Sequence, residues 1–180
     1  MDSIAKHMGI SKRTIYENFK DKNELLEACI TDEYEKTKKD EHLIMQSDNV
    51  LESMIRYLKN KEKPEYKRIK LGSELRRYHP DVALKVLDTC GAESFERFCR
   101  ILEIGIRQGY FRRDINPKTL AFILSTQALS LLSERFEKTE AESLILSDFS
   151  AYQAFEDMFY NFLRGISTPK GIEVIEKENN

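Results

Sequence analysis

The chain is predicted to be all-α. Seven glycines and four prolines among 180 residues leave long stretches free of helix breakers. Apolar residues recur at helical spacing throughout, and no run of alternating apolar and polar residues bounded by turn signals reads as a strand.

Punctuation divides the chain into helical pieces. The first ends near Asp21, whose carboxylate is placed to cap a new helix, with Glu24 reaching back as in a capping box. A long helix then runs from Leu25 to about Met45, with Leu26, Cys29, Ile30 and Tyr34 on one side and a charged, solvated stretch from Glu33 to Glu41. Ser47 and Asp48 give the next cap signal, ahead of Leu51, Met54, Ile55 and Leu58. A Lys/Glu-rich break containing Pro64 precedes a helix holding Ile69 and Leu75, and Pro80 suits the first turn of the following one. Gly91 is expected to break that helix, because Phe95, Phe98, Ile101, Leu102 and Ile106 form a fresh stripe that stops at Gly109. Asn116-Pro117 is another cap-plus-first-turn signature, opening a helix to about Phe136. After a polar gap from Glu137 to Glu142, a last helix is expected from about Phe149 to Leu163, and the final few residues to Asn180 read as a frayed tail.

Composition narrows the function classes. With 33% charged and 41% hydrophobic residues the chain is too apolar for a disordered polymer. It shows no uninterrupted apolar span of membrane length and no secretory signal at Met1. A net charge of −2 means that nucleic-acid binding has to come from a local patch. Cys29, Cys90 and Cys99 are odd in number and far apart, which argues against a disulfide framework or zinc site and fits a reducing cytoplasm.

The first twenty-two residues supply such a patch, with five basic side chains against three acidic ones. Ile4, Ala5 and Met8 share one face of a short helix, Gly9 stands where a sharp turn needs positive φ, and Ile10 looks inward. Ser11 is placed to cap a second helix whose inner face is Ile15 and Phe19. The small Ala5 permits a close crossing, so the segment reads as a helix-turn-helix. Lys12 and Arg13 can reach base edges, and the hydroxyls of Thr14 and Tyr16 can meet phosphates. Taken alone, the same spacing also suits a small helical hairpin with a solvated basic face.

The string from Ile4 to Leu26, with Tyr16, Phe19, Lys22, Leu25 and Leu26 as its tail, resembles the TetR family of bacterial transcriptional regulators. Gly109-Tyr110-Phe111-Arg112-Arg113-Asp114-Ile115-Asn116-Pro117 is similar to the loop that these regulators place before their dimerisation helices. The resemblance implies Lys12 and Arg13 at base edges, Thr14, Tyr16 and Asn18 near phosphates, and Lys22 on a phosphate at the positive end of the next helix. Family members carry a further helix before the segment that begins here at Asp2. A start site assigned too late or a truncated relative is therefore expected. The whole is expected to be a short N-terminal helix-turn-helix (1–26) joined to a larger helical ligand-binding and dimerisation domain (27–180).

Leu120, Ile123, Leu124, Leu131 and Leu132 mark one broad face of the helix from Pro117, and Phe122, Leu129 and Phe136 lie on others. The last helix, with Tyr152, Phe155, Met158, Phe159, Phe162 and Leu163, is similarly rich. Such circumference asks for more cover than one neighbour provides. An ordinary buried core is one answer. The resemblance implies the other, a homodimeric four-helix bundle with Leu124, Leu131, Phe155, Phe159 and Phe162 at the interface. Tyr57, Tyr78, Phe95, Phe98 and Leu102 are aromatic-rich enough to line an effector pocket, or equally to fill a core.

Weaker candidates point to structure. His7, His42 and His79 lack metal-ligand spacing. Cys90 and Cys99 can meet across a helix pair as an oxidant sensor, or serve as small buried hydrophobes. Lys67, Arg68, Lys70, Arg76 and Arg77 read as a solvated face, or as a site for an acidic ligand or DNA phosphate. No phosphate loop, nucleophile elbow or paired-carboxylate motif is present, so neither catalysis nor a cofactor or metal is expected. The resulting expectation is a cytoplasmic, ligand-responsive, homodimeric regulator. It would repress from a palindromic double-stranded DNA operator, be released by a small molecule, and have no membrane association. The alternative is a truncated dimerisation protein acting through mixed dimers without DNA.

Overall fold

A computed structural model describes residues 1–59, 74–75, 77–131 and 151–179. Among them are eight named helices and no strand, the one sheet-like feature being an isolated antiparallel bridge between Phe111 and Ser167.

Helix α1 (Asp2–Met8) ends at Gly9, whose φ of 66° is left-handed, and the Ile10 N–H closes the turn on the Ala5 carbonyl at 3.1 Å. Helix α2 (Lys12–Asn18) starts at Ser11, whose Oγ accepts the Thr14 N–H at 3.0 Å. Ala5 and Ile15 are the buried residues of the two helices. Asp21 then accepts the N–H groups of Asn23 and Glu24 at 2.8 and 2.9 Å, and the Glu24 carboxylate accepts the Lys20 N–H. Both predicted caps are in place.

Helix α3 (Lys22–Met45) has 24 residues, so it is about 36 Å long. The domain division expected after Leu26 falls inside it. Leu26, Ile30 and Tyr34 face inward as expected, but Cys29 is exposed. The charged stretch is not wholly solvated either. Thr37 is buried and Glu41 half-buried, because the inner side of this stretch meets an arginine from another helix.

Helix α4 (Val50–Lys59) is capped by Asn49 rather than by Ser47 or Asp48: Asn49 Oδ1 accepts the Glu52 N–H at 3.1 Å, while Ser47 Oγ donates back to the Ile44 carbonyl at 2.7 Å. The Gln108 side chain staples this corner by accepting the Val50 N–H and donating to the Ser47 carbonyl, each at 2.9 Å. Pro64 and Ile69 lie outside the described residues.

Helix α5 (Pro80–Arg107) runs 28 residues straight through Gly91, which does not break it. An interior glycine costs only about 1 kcal/mol relative to alanine, less than the packing on either side supplies. The helix ends before Gly109, with φ 81°, and the Tyr110 and Phe111 N–H groups turn back onto the Gly105 carbonyl. Asn116 Oδ1 accepts the Thr119 N–H at 3.1 Å and opens helix α6 (Pro117–Leu131); the expected end near Phe136 lies outside the described residues. Helix α7 (Ala151–Ile166) is followed by helix α8 (Pro169–Asn179), which replaces the expected tail. Thr168 supplies its cap, accepting the Gly171 N–H, and Ile175 is fully buried.

Two apolar clusters result. The main core joins α4, the end of α3, the second half of α5, and α6 to α8 around Leu51, Ile55, Leu102, Phe111, Leu163 and Ile175. A smaller one joins Leu75, Val82, Ala83 and Val86 to Leu26, Ile30 and Cys90. Helices α3 and α5 run parallel, since Glu27 pairs with Lys85, Tyr34 with Glu93, and Glu41 with Arg97.

Candidate nucleic-acid interface

With Ala5 and Ile15 turned inward, α2 presents Lys12, Arg13, Thr14, Tyr16 and Asn18 to solvent. Lys22, the first residue of α3, is exposed as well, at a helix end whose free N–H groups favour an anion. Every sequence-predicted DNA-contact residue is therefore solvent-exposed.

Sequence reasoning missed some of their partners. Lys12 Nζ sits 3.0 Å from the Asp2 carboxylate, and Arg13 Nε 2.9 Å from Glu17 one turn along. The hydrogen bond from Lys12, reinforced by its charge, holds the Asp2 carboxyl below the usual carboxylate range, and Asp2 in turn raises the Lys12 ammonium. These pairs are exposed, so little energy holds them closed. The Arg13–Glu17 pair has a signal in its four-residue spacing. Asp2 has none, because it approaches from the neighbouring helix. Thr14 Oγ1 and Ser11 Oγ share a hydrogen bond of 2.8 Å. Asn18 Nδ2 donates to the Thr14 carbonyl at 2.9 Å, and the Asn18 Oδ1 is by its chemistry an acceptor only.

The other expected sites fare differently. Tyr57, Phe95 and Phe98 are half-buried against the main core and Leu102 is fully buried within it. Tyr78 does not join them: it is 62% exposed, with the Arg77 guanidinium 5.1 Å from its ring centroid, because it precedes the His79-Pro80 start of α5 on the solvent side. Of the expected dimer contacts, Leu124, Phe155 and Phe159 are buried by their own chain and Phe162 is half-buried. Phe159 packs between Phe155 and Phe162 at centroid distances of 6.3 and 6.4 Å. Phe155 and Phe159 are therefore covered by their own chain in this structure. The Leu131 side chain lies outside the described residues. What α6 does expose is Phe122, at 64%, and Ile123, at 46%.

Cys90 and Cys99 lie on the same helix, so they cannot meet across a helix pair, and burial pushes both thiols above their ordinary range. Among the described residues no group of three His, Cys, Asp or Glu can hold a metal ion, and no helix is long and apolar enough to cross a membrane. Lys67, Arg68, Lys70 and Arg76 lie outside the described residues.

Residues 1–29 match the family model of the bacterial regulatory proteins of the tetR family. No curated protein and no solved structure matches the chain. The family-model match covers the N-terminal module, so what it identifies is a TetR-type module over residues 1–29. A module of this type is the DNA-binding part of transcription regulators, in line with the exposed face of α2.

Proposed function

We propose that the chain represses transcription as a homodimer on a palindromic operator in the cytoplasm and is released by a small-molecule effector. The observation that carries this reading is the exposed α2 surface, with Lys12, Arg13 and Tyr16 outward on a helix whose cap and turn are both formed. In it, Lys12 and Arg13 exchange their carboxylate partners for base edges, Thr14, Tyr16 and Asn18 lie along phosphates, and Lys22 holds one phosphate at the α3 terminus. Residues 1–26 read DNA and residues 27–180 sense and pair. The effector sits among Tyr57, Phe95, Phe98 and Leu102, and it shifts the equilibrium between DNA-binding and released forms only by its differential affinity for them. The two-fold symmetry of the operator mirrors that of the dimer. The exposed Phe122 and Ile123 of α6 form the seam, with Phe162 contributing from α7.

The test is selection of duplexes from a random pool by the purified chain. Enrichment of a two-fold symmetric sequence supports the reading. A chain that pairs yet enriches no sequence supports instead the reading as a dimerisation protein acting through mixed dimers.

A further inference from the structure

A carboxylate stands at the centre of the exposed face of α2. Ile15 is the buried residue of that helix, and at 3.6 residues per turn positions 13 and 17 each lie about 160° round from it, one on either side. Lys12 and Tyr16 fall on one flank of this pair, Thr14 and Asn18 on the other. Arg13 and Glu17 thus point straight outward, with side chains 88% and 57% exposed. Glu17 is the one acidic residue of α2. The two meet through a single bond, Arg13 Nε donating to Glu17 Oε1 at 2.9 Å. Among the described residues the Arg13 Nη groups and Glu17 Oε2 have no further partner. Lys12 differs, because its carboxylate comes from Asp2 on the neighbouring helix.

A carboxylate on a face turned to DNA is unfavourable unless it meets a donor. Phosphates repel it, and so add a cost on any sequence. In the major groove the donors are the amino groups of cytosine and adenine. A G·C pair shows in a row the guanine N7 and O6 acceptors and then the cytosine N4 donor. Arg13 and Glu17 carry the complement of that row: terminal N–H groups beside a carboxylate oxygen. On an A·T pair the same two side chains would set a guanidinium donor against the adenine amino group and a carboxylate against thymine O4. The contact between them shows that both tips converge closely enough to share one base pair.

We propose that Glu17 is a specificity-determining residue, and that Arg13 and Glu17 together read one G·C pair. Arg13 donates to guanine N7 and O6, and Glu17 accepts from the cytosine amino group. This rests on the reading of α2 as the DNA-contacting helix, and it names the base pair and the second residue. Elsewhere on a duplex Glu17 stays on Arg13 and repels the backbone, which lowers affinity for arbitrary sequences. The same carboxylate is a reader on the right sequence and a penalty on every other.

The test is selection of duplexes by the full chain, followed by titration of the selected duplex with each base pair exchanged in turn. The wild type is expected to prefer G·C at one position of each half-site by about tenfold or more. Glu17→Ala should lose that preference and bind arbitrary duplexes severalfold more tightly. Glu17→Gln keeps an acceptor without the charge, so it should retain the preference while gaining the same affinity for arbitrary duplexes. Both variants are expected to keep wild-type stability, because the side chain is exposed. A duplex whose cytosine at that position is replaced by a pyrimidinone lacking the N4 amino group should cost the wild type about tenfold and Glu17→Ala nothing. Equal losses in the two proteins, or a preference that Glu17→Ala leaves unmoved, overturn the role of Glu17 while α2 remains the DNA-contacting helix. A wild type that selects no sequence overturns both.

Discussion

The ring of Phe111 lies against the backbone of α5 at Gly105, so close that a β-carbon at position 105 would stand 2.2 Å from Phe111 Cδ2. Phe111 is almost fully buried and cannot retreat. Gly105→Ala is therefore expected to destabilise the chain by about 1–3 kcal/mol through overpacking. Gly91→Ala, in open space on the same helix, is expected to stabilise it by about 0.5–1 kcal/mol. Urea unfolding of the two variants should move the midpoint in opposite directions, and equal shifts would contradict the packing described at Gly105.

The DNA assignment separates residues by what they read. On a selected duplex, Arg13→Ala is expected to relax sequence preference at a cost of about 1–3 kcal/mol. Lys22→Ala should weaken selected and arbitrary duplexes alike and lower the salt slope by about one unit. Titrations at several salt concentrations distinguish the two, and wild-type behaviour in both variants would remove α2 from the interface.

Self-association is expected through the exposed face of α6. Phe122→Glu with Ile123→Glu should give monomers in sedimentation with unchanged helical content, because neither side chain supports the core. Phe155→Glu with Phe159→Glu should instead lower stability by several kcal/mol, since each buries an unpaired charge. A folded monomer from the second pair, with the first still associated, would return the seam to α7.

Thiol reactivity should follow burial. Cys29 is exposed and is expected to be alkylated first. Burial raises the Cys90 and Cys99 thiols, so at neutral pH they hold less thiolate than a free cysteine, and their labelling should climb only as pH rises past the ordinary thiol range. Mass spectrometry of iodoacetamide adducts at pH 7 and 9 resolves the order; rapid labelling of Cys99 in the folded chain would contradict its place in the core.

Local signals were legible and long-range ones were not. Gly9, Ser11, Asp21, Asn116 and Pro80 each act on backbone groups within a few residues, so their roles can be read from order alone. Gly91 misled because a weak propensity was weighed without the packing that overrides it. Helix α8 escaped notice although Thr168-Pro169 repeats the signature seen at Asn116-Pro117; its acidic composition hid the burial of Ile175 against α4. The stripe of Phe155 and Phe159 showed that something covers it, but periodicity does not say whether the cover is the same chain or a second copy. For the candidate site, the exposed face of α2 followed from helix geometry, while the Lys12–Asp2 pair needed a partner brought from another helix.

The seat of α8 also fixes an order of assembly. Its Ile175 closes the face formed by Val50, Leu51 and Ile55, and Thr168 is tied to the carbonyls of Gly109 and Tyr110 at 2.7 and 3.2 Å. A growing chain thus makes the helix-turn-helix from neighbours in sequence, then carries the open α4 face until its far partner has been synthesised. At ~5–20 residues per second that wait lasts roughly ten seconds. During it the nascent protein displays an apolar groove that the finished one does not have, and a chaperone holding that groove would be displaced by the arrival of α8.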